Sequence, residues 1–157
     1  MYKYADFIGA RLKIVVVELN GKSKDPEKIL ENFGFNMVVS QELAKFQNTT
    51  LEFLKDEDVE KDLKVIPCDA GLVLLPCLGK TSEQMHTIVK KLKGKCPDTH
   101  IVVWDDGISK KEEKALLKLG ADRVFSDRLE AANLSNIIEV VKAARPDKSS
   151  HTLLSAN

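Results

Sequence analysis

The pattern of apolar residues along the chain predicts five β-strands. Residues 13–19 (KIVVVEL), 72–76 (LVLLP) and 100–104 (HIVVW) are almost continuous apolar runs, which is typical of strands buried on both faces of a parallel sheet. Shorter apolar runs at 35–40 (FNMVVS) and 121–126 (ADRVFS) predict two more strands, the second and the fifth in chain order.

Five helices are predicted between and after these strands. The first lies within 21–34 (GKSKDPEKILENFG), where turn residues precede an Asp-Pro helix start and Gly34 is the C-cap. The second covers 48–63 and begins at Thr49 or Thr50. Its apolar positions follow a helical spacing: Leu51, Leu54, Val59 and Leu63. The other three are predicted over 82–94 with Thr81 or Ser82 as cap, over 109–120, and over 133–144, before Arg145-Pro146.

Strands that alternate with helices predict an α/β domain with a parallel sheet covered on both faces. Ligands of such sheets bind beyond the carboxyl ends of the strands, near the point where the strand order reverses. The segments that follow the predicted strands are 18–23, 39–41, 76–80, 105–108 and 126–128.

Composition narrows the possible partners and the compartment. The 157 residues are enough for one domain, and 24 Lys and Arg balance 24 Asp and Glu. A net charge of zero predicts no direct binding to nucleic acid or membrane. Cys68, Cys77 and Cys96 are odd in number and lack C-x-x-C spacing, so we expect neither a disulfide framework nor a zinc site. With no long apolar segment, the chain is predicted to be cytoplasmic.

Two Gly-Lys strings follow predicted strands but do not fit a phosphate-binding loop. A P-loop needs a glycine five positions before its Gly-Lys pair, and Val16 and Leu74 occupy those positions for GKS (21–23) and GKT (79–81). A G-x-G-x-x-G fingerprint is also missing from the sequence. We therefore predict no nucleotide cofactor.

Cysteine and carboxylate side chains are further candidates for chemistry at the same edge. Cys77 has no histidine tied to it in the sequence, so we expect a small buried side chain rather than a nucleophile. The acids there could hold Mg²⁺: Glu18, Asp105, Asp106 and Asp127. We favour the alternative, in which Asp105-Asp106-Gly107 is a turn whose aspartates cap the next helix. No metal site is predicted.

The order and spacing of these segments resemble the receiver domain of two-component response regulators. The likeness extends over residues 11–144 and includes "AGLVLLPCLG" and "ALLKLGADRVFS". It implies a CheY-like (flavodoxin-like) doubly wound sheet of five parallel strands in the order 2-1-3-4-5, with helices on both faces. Residues 1–10 would be an N-terminal extension and residues 145–157 a flexible tail or linker.

The residues that carry phosphoryl transfer in that family are mostly replaced here. The family's paired acids fall on Glu18 and Leu19, and its phosphorylated aspartate falls on Pro76. Its switch Ser or Thr falls on Asp105, and its conserved lysine on Asp127. The resemblance therefore implies a pseudo-receiver, a domain that keeps the fold without the reaction, and we expect no enzymatic activity.

A receiver that is not phosphorylated can still bind other proteins. In the family, the face made by the fourth helix, fifth strand and fifth helix contacts partners or a second copy. The corresponding residues here are Lys110, Lys114, Lys118, Asp122, Arg123 and Phe125. This implies a regulatory or protein-interaction module in signalling or transcription control, with a protein partner or a homodimer.

Two alternatives remain at this point. In the first, the chain is a small-molecule or metal sensor with a polar pocket formed by Glu18, Ser40, Cys77, Lys80, Asp105 and Ser126. In the second, the chain is a flavodoxin-like enzyme. The sequence disfavours the second, because NGKSKDP lacks the Thr/Ser-rich turn of flavin binders and no Asp-x-His-x-x-Gly string for cobalamin is present. We expect no cofactor.

Overall fold

The computed structural model describes residues 12–18, 26–46, 48–77, 80–105, 107–126 and 130–156, with the side chains of 28, 29 and 144–156 outside that description. The strands are β1 (Leu12–Glu18), β2 (Thr49–Lys55), β3 (Leu72–Pro76), β4 (His100–Trp104) and β5 (Arg123–Phe125). The helices are α1 (Pro26–Leu43), α2 (Asp56–Lys61), α3 (Ser82–Lys95), α4 (Lys110–Leu119) and α5 (Ala131–Ala156). A short 3₁₀ turn covers Leu63–Val65.

The five strands form one parallel sheet in the order β2-β1-β3-β4-β5. Val16 of β1 is in register with Phe53 of β2 on one side and with Leu74 of β3 on the other. The order reverses at β1, which lies between β2 and β3 although it comes first in the chain. The predicted doubly wound sheet is confirmed.

The predicted second strand at 35–40 is wrong, because these residues lie inside α1. Phe35, Val39 and Leu43 are buried at four-residue spacing, whereas Met37 between them is exposed. A strand would bury every second residue instead. Gly34 does not end the helix, which continues to Leu43.

The predicted second helix at 48–63 is also wrong over its first half. Thr49–Lys55 (TTLEFLK) is strand β2, and only Asp56–Lys61 is helical. Leu51 packs against the core on one face of the sheet and Leu54 against the core on the other, as alternation along a strand requires. Thr49 and Thr50 therefore start a strand and are not helix caps.

The later elements follow the sequence closely. Thr81 caps α3 through a reciprocal capping box with Gln84, and the Ser109 hydroxyl caps α4 by accepting from the Glu112 N–H. The largest difference is the end of α5, which continues through Pro146 to Ala156. A proline removes one N–H donor and can bend a helix without ending it. That residues 145–157 serve as a linker stays a prediction.

The core is divided by the sheet into two apolar clusters. Val15 and Val73 face the cluster beneath α2, α3 and α4, whereas Ile14, Val16 and Leu74 face the cluster beneath α1 and α5. Alternation therefore places Glu18 and Pro76 on the α1/α5 side at the carboxyl ends of β1 and β3. In the part of the chain that is described, no helix is long and apolar enough to cross a bilayer.

A disulfide joins Cys68 and Cys96, whose Cα atoms are 5.1 Å apart. The expectation that the cysteines form no disulfide is therefore wrong for this pair. Cys68 precedes β3 and Cys96 follows α3, so the β3–α3 unit returns the chain to the same edge of the sheet. Sequence spacing alone did not reveal this proximity. Cys77 lies in the core, as expected.

We predict that the disulfide stabilises the fold. Because the disulfide closes a loop with a sequence separation of 28 residues, breaking it should lower the free energy of unfolding by roughly 3–4 kcal/mol. Urea titration of the Cys68→Ser variant beside the oxidised parent measures this loss. A Cys77→Ala variant is the matched control, because it should lose stability on treatment with dithiothreitol as the parent does. An equal midpoint for Cys68→Ser and the oxidised parent would contradict the prediction.

Candidate functional site

The carboxyl edge of the sheet brings together only part of the predicted site. Glu18 ends β1, Pro76 ends β3, and Asp105 follows β4 directly. Leu19 and Asp127 lie outside the described residues. The structure therefore describes three of the five predicted site residues: Glu18, Pro76 and Asp105.

Pro76 completes the sheet at the point where the receiver family carries its phosphorylated aspartate. It is buried and pairs with Trp104 of β4. The next residue, Cys77, donates its backbone N–H to the Trp104 carbonyl at 3.1 Å. The pyrrolidine ring has no nucleophilic atom and no ionisable group. The strand end is thus closed by backbone pairing and presents no reactive group.

Glu18 is half-buried and is held by α1. Its Oε2 accepts a hydrogen bond from Asn36 Nδ2 at 2.9 Å. The receiver fold implies Mg²⁺ near this carboxylate, but the residues do not fit the ion, because Leu19 and Pro76 provide no oxygen side chain at the positions of the other ligands. Among the described residues, no three His, Cys, Asp or Glu side chains are grouped to hold a metal.

Asp105 begins a turn that is fixed to the end of β5. Its backbone N–H donates to Phe125 O at 3.2 Å, and Gly107 N donates to Ser126 O at 3.0 Å. Gly107 has a φ of +89°, a conformation that favours glycine. The cap of α4 is Ser109 and not Asp105; Asp106, the middle residue of the predicted turn, lies outside the described residues.

Lys80 is a buried charged residue at this edge that is held by two ion pairs. Its side chain is 5% exposed and forms ion pairs with Asp56 and, at 3.2 Å, with Glu60. Burial raises the pKa of the Asp56 carboxyl, and the hydrogen bond and positive charge of Lys80 oppose that shift. The loop after β3 is therefore attached to α2 by a cation that is neutralised within the chain.

The sequence did not predict this ion-pair group. Asp56 and Glu60 are four residues apart and share a face of α2, a spacing that is visible in the sequence. The predicted helix over 48–63 placed both acids in the middle of a helix, so the sequence did not indicate that Asp56 follows a strand. In the structure, Asp56 directly follows β2 and so lies at the carboxyl edge near Lys80.

The six residues of the predicted sensor pocket are not gathered in one place. Ser40 lies on the exposed side of α1, since residues 35–40 are helical. Cys77 is buried in the α2–α4 core cluster, Lys80 is paired with acids of α2, and Ser126 is exposed. The error in the second strand explains why Ser40 was assigned to this edge.

The predicted interaction face is only partly a free surface. Lys110, Lys114 and Lys118 are exposed along one side of α4. Asp122 is engaged at the opposite edge of the sheet, where its Oδ2 accepts from Lys93 Nζ at 3.1 Å and from Ile101 N at 2.8 Å. Phe125 packs against the α1/α5 cluster. The lysines are therefore the residues of this set that are best placed to meet a partner.

Comparisons with known proteins agree with this architecture. No family model and no curated protein matches the chain. The signal receiver domain of a DNA-binding response regulator from Colwellia psychrerythraea 34H has a TM-score of 0.63 at 14% identity, with 84% of this chain and 98% of that chain covered. A response regulator from Thermotoga maritima has a TM-score of 0.60 at 15% identity, with 83% and 97% covered. The chain has the fold of a receiver domain.

A third similar structure is also a receiver domain. The BeF3-activated DrrB receiver domain, whose full-length protein is from Thermotoga maritima, has a TM-score of 0.59 at 18% identity, with 85% of this chain and 98% of that chain covered. Likeness at such low identity establishes the receiver fold and no activity. The chemistry has to be judged from the residues at the carboxyl edge.

We predict that Lys80 is needed for stability through its charge. The Lys80→Met variant would leave Asp56 half-buried without its cation, which should cost about 3–5 kcal/mol of unfolding free energy at pH 7. Urea titration measures this difference. Lys61→Met is the matched control, because Lys61 pairs with Glu57 at an exposed site and should lose less than about 0.5 kcal/mol.

The loss in Lys80→Met should shrink as the pH falls. An acid whose pKa is higher in the folded state than in the unfolded state stabilises the fold most at pH values below its unfolded pKa. That stabilisation is lost as the pH rises through the folded pKa. Without Lys80, the pKa of Asp56 rises further, and protonation removes the buried charge. The difference between variant and parent should therefore decrease from pH 7 toward about pH 4.5. A difference that does not vary with pH would contradict a charge-based role.

Proposed function

We propose that this chain is a non-catalytic pseudo-receiver, a regulatory module that acts by protein contact and without phosphorylation in signalling or transcription control. The observation that carries the proposal is Pro76, which closes β3 where the fold would present an aspartate. Phosphoryl transfer needs a nucleophile, a metal ion and a cation that balances the developing negative charge. The nucleophile and the cation have no suitable residue at the expected position, and of the paired metal-binding acids only Glu18 is present.

The charges at the edge support the same proposal. Glu18 is held by Asn36, and Lys80 is held by Asp56 and Glu60. At the position of the family's lysine stands Asp127, whose negative charge would repel a phosphoryl group. Here, the contacts between charged groups are already made within the chain.

The surface that we propose for a protein partner is the α4–β5–α5 face, meaning the exposed residues of those three elements. Leu117 of α4 and Val140 of α5 are exposed apolar side chains, and the exposed Lys110 and Lys114 lie on the same side of α4 as Leu117. Apolar anchors with a charged rim are typical of protein interfaces, in which the charges select the partner. The lysines favour a partner with an acidic rim, and a second copy is the alternative.

We predict that Mg²⁺ with beryllofluoride, a mimic of the acyl phosphate, leaves the melting temperature of this chain unchanged to within about 1 °C. A ligand of the native state at a hundred times its dissociation constant adds about 2.7 kcal/mol of stability. For a domain of this size, that corresponds to several degrees. Differential scanning fluorimetry measures the shift.

The DrrB receiver domain is the matched control, since it is a receiver solved in its BeF3-activated form. It should melt several degrees higher under the same conditions. A comparable rise for this chain would contradict the proposed phosphorylation-independent function. The Pro76→Asp variant completes the series and should also show no rise, because it restores the nucleophile without the paired acid or the lysine.

A further inference from the structure

The Cys68–Cys96 disulfide joins a residue at the surface to a residue in the core. Cys68 is exposed, whereas Cys96 is 2% exposed and packs in the cluster beneath α2, α3 and α4. A disulfide is reduced when a thiolate reaches one of its sulfur atoms, so access to the bond governs the rate. Exposed disulfides are for this reason often labile or regulatory. The position of Cys68 makes this bond accessible to a reductant in solution.

The domain has enough buried apolar surface to fold without a crosslink. Its two core clusters lie on opposite faces of the sheet and include side chains of all five strands. Domains that depend on disulfides are mostly smaller chains that cannot form such a core. The bond also joins a connecting segment to the end of a helix, and it links no two strands. Breaking it should therefore loosen one region and leave the domain folded.

The region that the disulfide attaches to α3 is Asp62–Cys68, which we call the switch segment. A weaker contact joins the two at an exposed site, where Lys95 Nζ donates to Leu63 O at 3.2 Å. Just beyond the switch segment, the chain is fixed to the sheet, because Gly71 N donates to Lys13 O at 2.9 Å. The disulfide is the covalent link between the switch segment and α3, and the sheet holds the chain that follows.

The switch segment also forms one wall of a groove of about 590 Å³. Asp62 and Leu63 line the groove on this side, and Thr87, Ile88 and Lys91 of α3 line it on the opposite side. The separation of the two walls depends on what connects the switch segment to α3. Because the disulfide holds the end of the switch segment against the end of α3, it limits how far the groove can widen.

We propose that the Cys68–Cys96 disulfide is a reversible redox switch that controls the mobility of the switch segment and thereby the width of this groove. In the reduced state, the sheet contacts and the fully buried Ile66 still anchor the switch segment. Without the covalent link, however, it opens away from α3 more often. The inference concerns a surface other than the α4–β5–α5 face and does not depend on the proposed function.

The reductant is a small monothiol of the glutathione class. Its thiolate attacks Cys68 Sγ, the bond to Cys96 breaks, and Cys96 leaves as a thiolate that takes up a proton. A second thiolate then attacks the reductant's sulfur in the mixed disulfide and releases Cys68, which is also protonated. Two reductant thiols are thereby oxidised to one disulfide, and the protein disulfide gains two electrons and two protons. The oxidised form of the same reductant reverses the reaction.

The third cysteine takes no part in this exchange. Cys77 follows β3 at the carboxyl edge of the sheet, whereas Cys68 precedes β3 and Cys96 precedes β4, both at the opposite edge. The five residues of β3 span roughly 16 Å. A disulfide allows a Cα separation of only up to about 7 Å. Within one chain, the pair is therefore either oxidised or reduced, without a competing disulfide to Cys77.

The first test counts thiols after the folded protein has been incubated with about 10 mM reduced glutathione near neutral pH. The reaction is stopped with acid, the glutathione is removed, and the chain is unfolded and alkylated before its intact mass is measured. The oxidised parent should carry one adduct, on Cys77, and the reduced parent should carry three. Oxidised glutathione should then return the count to one. A count that stays at one in reduced glutathione, or that does not return to one, would overturn the inference.

The second test locates the effect of reduction by hydrogen exchange. The amides of Val65 and Ile66, which form backbone hydrogen bonds within the switch segment, should exchange at least about tenfold faster in the reduced protein. The Glu113 amide of α4 is the internal control and should change less than about twofold. The Cys68→Ser variant should match the reduced parent and should not respond to glutathione. No acceleration in the switch segment, or an equal acceleration at Glu113, would overturn the inference, because the disulfide would then affect only global stability.

Discussion

Burial of the central strands on both faces is the constraint on which the rest of the structure depends. Ile14 and Val16 of β1 face one core cluster, and Val15 and Val17 face the other. A strand with both faces buried leaves no room for polar side chains along its length. Charged side chains of the buried strands β1, β3 and β4 are therefore confined to the strand ends. The position of the candidate site follows from this burial alone, before any motif is considered.

The carboxyl edge of the sheet presents no reactive side chain at the end of β3. With Pro76 in the sheet, β3 ends in backbone pairing rather than in a reactive side chain. The loop that follows is attached to α2 through Lys80, whose charge is met by Asp56 and Glu60. Pro76 stands at the position of the nucleophile of the receiver family, and the charge of Lys80 is neutralised within the chain.

The sequence predicted the fold class and the edge, and it failed where local patterns were ambiguous. FNMVVS has the apolar content of a strand, yet Phe35 and Val39 are buried at helical spacing because α1 continues past Gly34. The residues that form β2 contain Leu51 and Leu54, whose three-residue spacing also suits a helix. Pairing with β1 over seven residues decided between these possibilities. Such pairing is a tertiary interaction that a short window does not contain.

The sequence indicated the site residues that lie at strand ends. It missed the residues that are brought together by contacts between distant parts of the chain. Glu18, Pro76 and Asp105 were found because each follows an unambiguous apolar run. The Lys80 group and the Cys68–Cys96 disulfide join residues 20 to 30 positions apart. Their proximity results from how the chain returns after each helix, and residue types alone do not reveal it.

The most direct test of the account is the intact mass of the protein after incubation with Mg²⁺ and acetyl phosphate, a small-molecule phosphoryl donor. The account predicts an unchanged mass, because the carboxyl edge has Pro76 where a nucleophile would be. A stable addition of one phosphoryl group, located by peptide mapping on an acid of this edge such as Asp105, would contradict it.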